Sequence, residues 1–111
     1  MRLIGSRTEF FRREELQQSE IFIKKNKIIV NFLNKKFSPV KSAYLLAYTP
    51  EQGEDIYRIL VNGCIVIEFE ISKFDSKISD IEEIPVSYYS KLIKSKSAKL
   101  DLLIALDLAN N

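Results

Sequence analysis

The sequence predicts an α+β fold in which an antiparallel β-meander of three or four strands lies between two N-terminal and two C-terminal helices. Three observations predict it. Ser6-Arg7-Thr8-Glu9 has the form of a capping box that opens a helix, and Asn62-Gly63 sits as a hairpin turn between two β-rich runs. Near the end, Leu100, Leu103, Ile104, Leu106 and Leu108 recur at helical spacing. Helices, then strands, then helices again is the order of an α+β domain.

In chain order, the first helix begins near Arg7, where the Ser6 hydroxyl and the Glu9 carboxylate satisfy free amides of the first turn. It carries Phe10, Phe11 and Leu16 and runs toward Ser19, and Ile21, Phe22 and Ile23 either extend it or form a connector. Asn26 is a second N-cap, followed by Ile28, Ile29, Phe32, Leu33 and Phe37 at helical spacing, with Lys35 and Lys36 placed where cations suit the helix dipole. Ser38-Pro39 ends this helix. Residues 42–48 alternate Ala43, Leu45 and Ala47 against Tyr44, Leu46 and Tyr48, the pattern of a strand.

The acidic turn Thr49-Pro50-Glu51-Gln52-Gly53-Glu54-Asp55 leads into the hairpin. Asn-Gly selects a two-residue type I′ turn, because both residues accept positive φ and match the strand twist. With Val61 opposite Cys64, the expected pairs are Leu60 with Ile65, Ile59 with Val66, Arg58 with Ile67, Tyr57 with Glu68 and Ile56 with Phe69. That register puts Ile56, Arg58, Leu60, Ile65, Ile67, Phe69 and Ile71 on a core face, where an unpaired Arg58 is disfavoured unless the register differs. The second face holds Tyr57, Ile59, Val61, Cys64, Val66, Glu68 and Glu70, apolar near the turn and acidic at its open end. Its cover is either another helix of the chain or a partner protein or second subunit. Beyond a polar stretch, Ile78, Ile81 and Ile84 offer a fourth strand or an irregular edge. Pro85-Val86-Ser87 opens a short helix with Tyr88, Tyr89, Leu92 and Ile93, and Ser97 caps the last one, which packs deep in the core.

The 111 residues make a single domain, 1–111. With 46% hydrophobic and 29% charged residues, and three glycines and three prolines, the chain is expected to fold throughout. The absence of histidine removes Ser-His-Asp and Cys-His catalysis and the usual zinc sites. Three glycines supply no phosphate-cradling loop, so no enzyme, metal or cofactor is expected. Cys64, the one cysteine, cannot form an internal disulfide and is read as packing. No apolar run approaches the roughly 20 residues of a membrane span, and the N-terminus lacks the apolar region of a secretory signal, so the expected location is the cytoplasm.

Charge is sorted along the chain. Residues 51–83 carry nine acids against three bases, whereas residues 1–50 carry ten bases and four acids. Any single carboxylate here is accounted for by solvation. As a set, the acids around one hairpin create a negative field suited to a basic protein partner. The candidate partner-binding residues are Glu51, Glu54, Asp55, Tyr57, Glu68 and Glu70. Acids on open strands lack the tight loop that would gather oxygen ligands around a metal. Lys24, Lys25, Lys27, Lys35, Lys36 and Lys41, with Arg12 and Arg13, offer an alternative nucleic-acid surface, but Glu9, Glu14, Glu15 and Glu20 interrupt them and favour a solvated face.

Three segments carry a resemblance: Leu3-Ile4-Gly5-Ser6-Arg7-Thr8-Glu9, Ala47-Tyr48-Thr49-Pro50-Glu51-Gln52-Gly53-Glu54-Asp55-Ile56-Tyr57-Arg58-Ile59-Leu60-Val61, and Leu103-Ile104-Ala105-Leu106-Asp107-Leu108. In style, across most of its length, the chain resembles small bacterial immunity proteins of contact-dependent growth inhibition and related toxin systems. The resemblance implies a non-enzymatic cytoplasmic protein that binds a cognate toxin domain, often a nuclease, and blocks its active site or substrate surface. A nuclease needs a positive cleft for phosphates, so its charge would complement the acidic hairpin.

Overall fold

The computed structural model describes residues 7–110, and its architecture is the α+β arrangement read from the sequence. Helices α1 (Arg7–Lys25) and α2 (Lys27–Lys36) precede strands β1 (Ala43–Pro50), β2 (Glu54–Val61), β3 (Ile65–Ser72) and β4 (Ile78–Pro85). Helices α3 (Val86–Leu92) and α4 (Lys96–Ala109) follow. The four strands form one antiparallel sheet in the order β1-β2-β3-β4. Ile21, Phe22 and Ile23 extend α1, and the segment around Ile78, Ile81 and Ile84 is a full strand. The expected cap at Ser6 lies outside the described residues.

Local signals set most boundaries. Asn26 caps α2, its Oδ1 accepting from Ile29 N at 3.2 Å, and the extended Phe37 closes the helix by donating its N–H to the Leu33 carbonyl at 2.8 Å. The cap of α4 is Ser95, not Ser97 as expected. Ser95 Oγ accepts from Ala98 N at 3.0 Å, which starts the helix at Lys96 and leaves Ser97 in its first turn.

The hairpin register also differs from expectation, by one residue. Asn62 and Gly63 do take φ of 55° and 68°, and Cys64 N–H donates to the Val61 carbonyl at 3.1 Å, so the turn itself has the type I′ form. The ladder, however, resumes one residue later. Val61 pairs with Ile65, Leu60 with Val66, Ile59 with Ile67, Arg58 with Glu68 and Tyr57 with Phe69. Cys64 is left over, its carbonyl accepting from Val86 N at 3.2 Å and its side chain exposed, so it does not pack in the core as expected. A slip of one residue moves a whole strand's side chains to the other face. Tyr57, Ile59 and Val61 therefore share a first face with Ile65, Ile67, Phe69 and Ile71, while Ile56, Arg58 and Leu60 share a second face with Val66, Glu68 and Glu70. This register segregates polarity better. It gathers most of the apolar residues of both strands on the first face and brings Arg58 opposite a carboxylate.

Irregularities in the outer strands complete the two faces. The shift between Leu45 and Ala47 breaks the alternation expected in β1, so Ala43, Leu45 and Tyr48 join the first face and Tyr44, Ala47 and Thr49 the second. In β4 the register shifts where β3 passes from Glu68 to Glu70, and Asp80 sits there at φ 51°.

A hydrophobic core lies on each side of the sheet. On the first face, Ile59, Val61, Ile67, Phe69 and Ile71 pack with Ile29 and Leu33 of α2 and Ile23 of α1. On the second, Tyr44, Leu60, Val66 and Ile84 pack with Tyr89 of α3, Leu102, Ile104 and Ala105 of α4 and Leu16 of α1. Arg12 to Asp101 and Arg13 to Asp107, each 2.8 Å, tie α1 to α4. Asn62 fastens the hairpin to the segment that enters β1. Its Oδ1 accepts from Lys41 N at 2.6 Å and Ser42 N at 3.2 Å, and its Nδ2 donates to the Pro39 carbonyl at 3.0 Å.

Candidate functional site

Helices cover the second face only in part. Near the Asn62-Gly63 turn, Tyr44, Leu60, Val66 and Ile84 are buried, so the helices of the chain itself cover the apolar half of this face. Farther from that turn, the cross-strand rows Ala47, Arg58, Glu68, Glu82 and Thr49, Ile56, Glu70, Ser79 are half-buried or exposed. They form an open quadrant of the sheet with a shallow hollow of about 280 Å³ lined by Ala47, Thr49, Ile56, Arg58, Glu68 and Glu70.

Arg58 is the one cation of the quadrant's rows, and it is engaged. Its Nε donates to Glu68 Oε1 at 2.6 Å, and the guanidinium lies 5.9 Å from the centre of the Tyr89 ring. The hydrogen bond to Glu68 raises the Arg58 pKa, outweighing the opposing effect of burial. Glu70 is in the opposite situation. A side-chain hydrogen bond with Asp80, followed by desolvation and by repulsion from Asp80, Glu54 and Glu68, pushes its carboxyl up to about 7. Parity along β2 and β3 puts Glu54, Glu68 and Glu70 on one face, and the β4 bulge brings Asp80 against Glu70. Among the described residues, Glu54, Glu70, Asp80 and Glu82 have no ion pair. The quadrant therefore holds negative charge that the described residues leave without a cationic partner.

The other acids of the segment are placed differently. Asp55 lies toward the first face, accepting from the Tyr48 hydroxyl at 3.1 Å and standing 3.6 Å from Lys73 Nζ. Glu83 pairs with Lys36 at 3.5 Å. Glu51 is in the β1–β2 turn, where its N–H donates to the Glu54 carbonyl at 2.8 Å and its carbonyl accepts from Lys73 Nζ. Tyr57 is buried, its ring 5.5 Å from Phe69 and 5.2 Å from Tyr48. Of the six residues singled out from the sequence, Glu54, Glu68 and Glu70 come together and Glu51 borders them at the turn. Asp55 and Tyr57 belong to the other side of the sheet, a correction that follows from the register. Asp80 and Glu82 join the group unforeseen, since their placement depends on how β4 pairs and where it bulges.

Chemically, the quadrant is suited to binding cations. Among the described residues no group of three or more Asp, Glu, Cys or His side chains has the arrangement of a metal site. Glu70 and Asp80 adjoin on the uncovered part of the sheet, beside the hollow. The basic residues of the N-terminal half are partly committed elsewhere, with Arg12 and Arg13 bound to α4, Lys24 to Glu20 and Lys36 to Glu83. No helix among the described residues is long and apolar enough to cross a membrane. No protein family, no curated protein and no solved structure matches this chain.

Proposed function

We propose that this chain is a cytoplasmic immunity protein of the contact-dependent growth inhibition type, which binds a cognate secreted toxin domain, a nuclease, and blocks its active site or substrate surface. One observation carries the reading: a quadrant of the sheet is left uncovered, and its acids Glu54, Glu70, Asp80 and Glu82 lack cationic partners among the described residues. An acidic surface on a rigid sheet complements the phosphate-binding cleft of a nuclease and speeds encounter with it. The raised Glu70 pKa adds to this, because crowded carboxylates are relieved when a cationic surface docks on them.

The test pairs this protein with the polypeptide encoded in the adjacent reading frame. Co-expression is expected to rescue growth from that polypeptide, and titration of the purified pair to give a complex that weakens as salt rises. Reversal of Glu54, Glu70, Asp80 and Glu82 to lysine should weaken the complex by at least about 100-fold, roughly 2.7 kcal/mol. Reversal of Asp55, on the other side of the sheet, should matter far less. A folded quadruple variant that retains full affinity and protection would refute the site, and absence of rescue by the wild-type protein would refute the function.

A further inference from the structure

Helix α1 turns its large apolar side chains the wrong way for a helix whose only neighbours are in its own chain. Toward the body it buries Glu9, Leu16 and Ile23. Toward solvent it presents Phe10 at 57%, Phe11 at 54%, Ile21 at 44% and Phe22 at 46% exposure. At 100° per residue these four lie on the side opposite Leu16, flanking Glu14 and Gln18. Packing among the described residues gives no reason for three exposed phenylalanines on one helix face.

We propose that the outer face of α1 is a homodimer interface, in which two copies of the helix pack antiparallel about a two-fold axis near Leu16. The spacing is self-complementary. Phe10-Phe11 and Ile21-Phe22 stand eleven residues apart, about 16.5 Å or three turns, and are symmetric about residue 16. An antiparallel second copy therefore sets each aromatic end on the other's Ile21-Phe22 end, as an isologous contact requires. Glu14 then falls opposite Gln18 of the second copy along the midline of the contact, with Arg7 opposite Lys25 at either end.

The area also fits. Three phenylalanines about half exposed, each offering roughly 200 Å², together with Ile21, leave about 400 Å² of apolar side chain per copy. Two copies would remove about 800 Å² of apolar surface, half of a standard interface of about 1,600 Å², with Arg7, Glu14, Gln18 and Lys25 forming a polar strip between the two apolar flanks. Neither the acidic quadrant nor the toxin reading enters this argument, since α1 shares no residue with either.

Sedimentation equilibrium of the full chain from about 1 to about 200 µM brackets the micromolar range expected of a modest interface. The expected result is a species of twice the 12.9 kDa chain mass, converted to monomer by Phe11→Glu and by Phe22→Glu. Circular dichroism checks that the variants fold, and Ile21→Gln serves if either does not. In a Cys64→Ser background, Glu14→Cys and Gln18→Cys proteins should form mixed disulfides on gentle oxidation faster than either does alone. A chain that stays monomeric throughout, a dimer that survives the substitutions, or mixed disulfides no faster than the homogeneous ones would overturn the proposal.

Discussion

Replacing Asn62 tests the part of the fold that sets the hairpin register. Asn62→Ala removes three side-chain hydrogen bonds, two that Oδ1 accepts from Lys41 N and Ser42 N and one that Nδ2 donates to the Pro39 carbonyl. The bonds to Lys41 and Pro39 are exposed, so water replaces part of their value, and the three together are worth about 1.5 kcal/mol at the low end of the usual range. The φ of 55° adds about 1 kcal/mol, because alanine tolerates the left-handed region less well than asparagine. The expected loss is about 2.5 kcal/mol, a large share of the roughly 5–15 kcal/mol that holds a domain together. In urea, with m near about 1.5 kcal/mol/M, the midpoint should fall by about 1.7 M with little change in slope. Asn62→Asp keeps the acceptor and the turn conformation and loses only the donor to Pro39, so it should cost about 0.5–1 kcal/mol. Asn62→Gly relieves the backbone but loses all three bonds and should fall between the two. A loss below about 1 kcal/mol for Asn62→Ala, or an aspartate variant weaker than the alanine one, would show that the clamp contributes little to stability.

Two further perturbations probe the sheet. Glu70 has a folded pKa raised to about 7, above its unfolded value, so its contribution to stability is fully present below the unfolded pKa and is lost as pH rises through about 7. Thermal melts of wild type and Glu70→Gln should therefore diverge as pH rises from about 5 to about 8, with the glutamine variant the more stable at the top, and NMR titration of the Glu70 carboxyl should give a midpoint near neutrality. Phe69 is fully buried, with its ring 4.7 Å from Phe32 and 5.5 Å from Tyr57, so Phe69→Ala should cost about 3–5 kcal/mol in urea unfolding, and Phe69→Leu under about 1.5.

Element identity was legible because its signals are local. Asn26, Ser38-Pro39, the Asn62-Gly63 turn and the apolar pattern of α4 each act through a few neighbours in the chain. Register was less legible. The turn conformation at Asn62-Gly63 is what the dipeptide dictates, but whether Cys64 belongs to the strand depends on Val86 N, which takes its carbonyl, and on the 39–42 segment that Asn62 holds. Both are distant in sequence. The same slip explains Arg58, whose uncomfortable place on a core face was itself a sign that the register needed revision. For the candidate site, composition located the acidic segment, whereas strand parity sorted its members: Asp55 and Glu83 to lysine partners, Glu54, Glu68 and Glu70 to the open quadrant. Asp80 was beyond reach, since its place beside Glu70 comes from a bulge.

The open quadrant separates two demands that usually compete for the same residues. Thr49, Ser79 and Glu82 stand outside both hydrophobic cores, so exchanging them changes the surface while leaving the packing of Leu60, Val66, Ile67 and Phe69 intact. Substitutions there should fall within about 0.5 kcal/mol of neutral for folding. A chain built this way can acquire a new partner through changes at the quadrant, without first acquiring spare stability to absorb them.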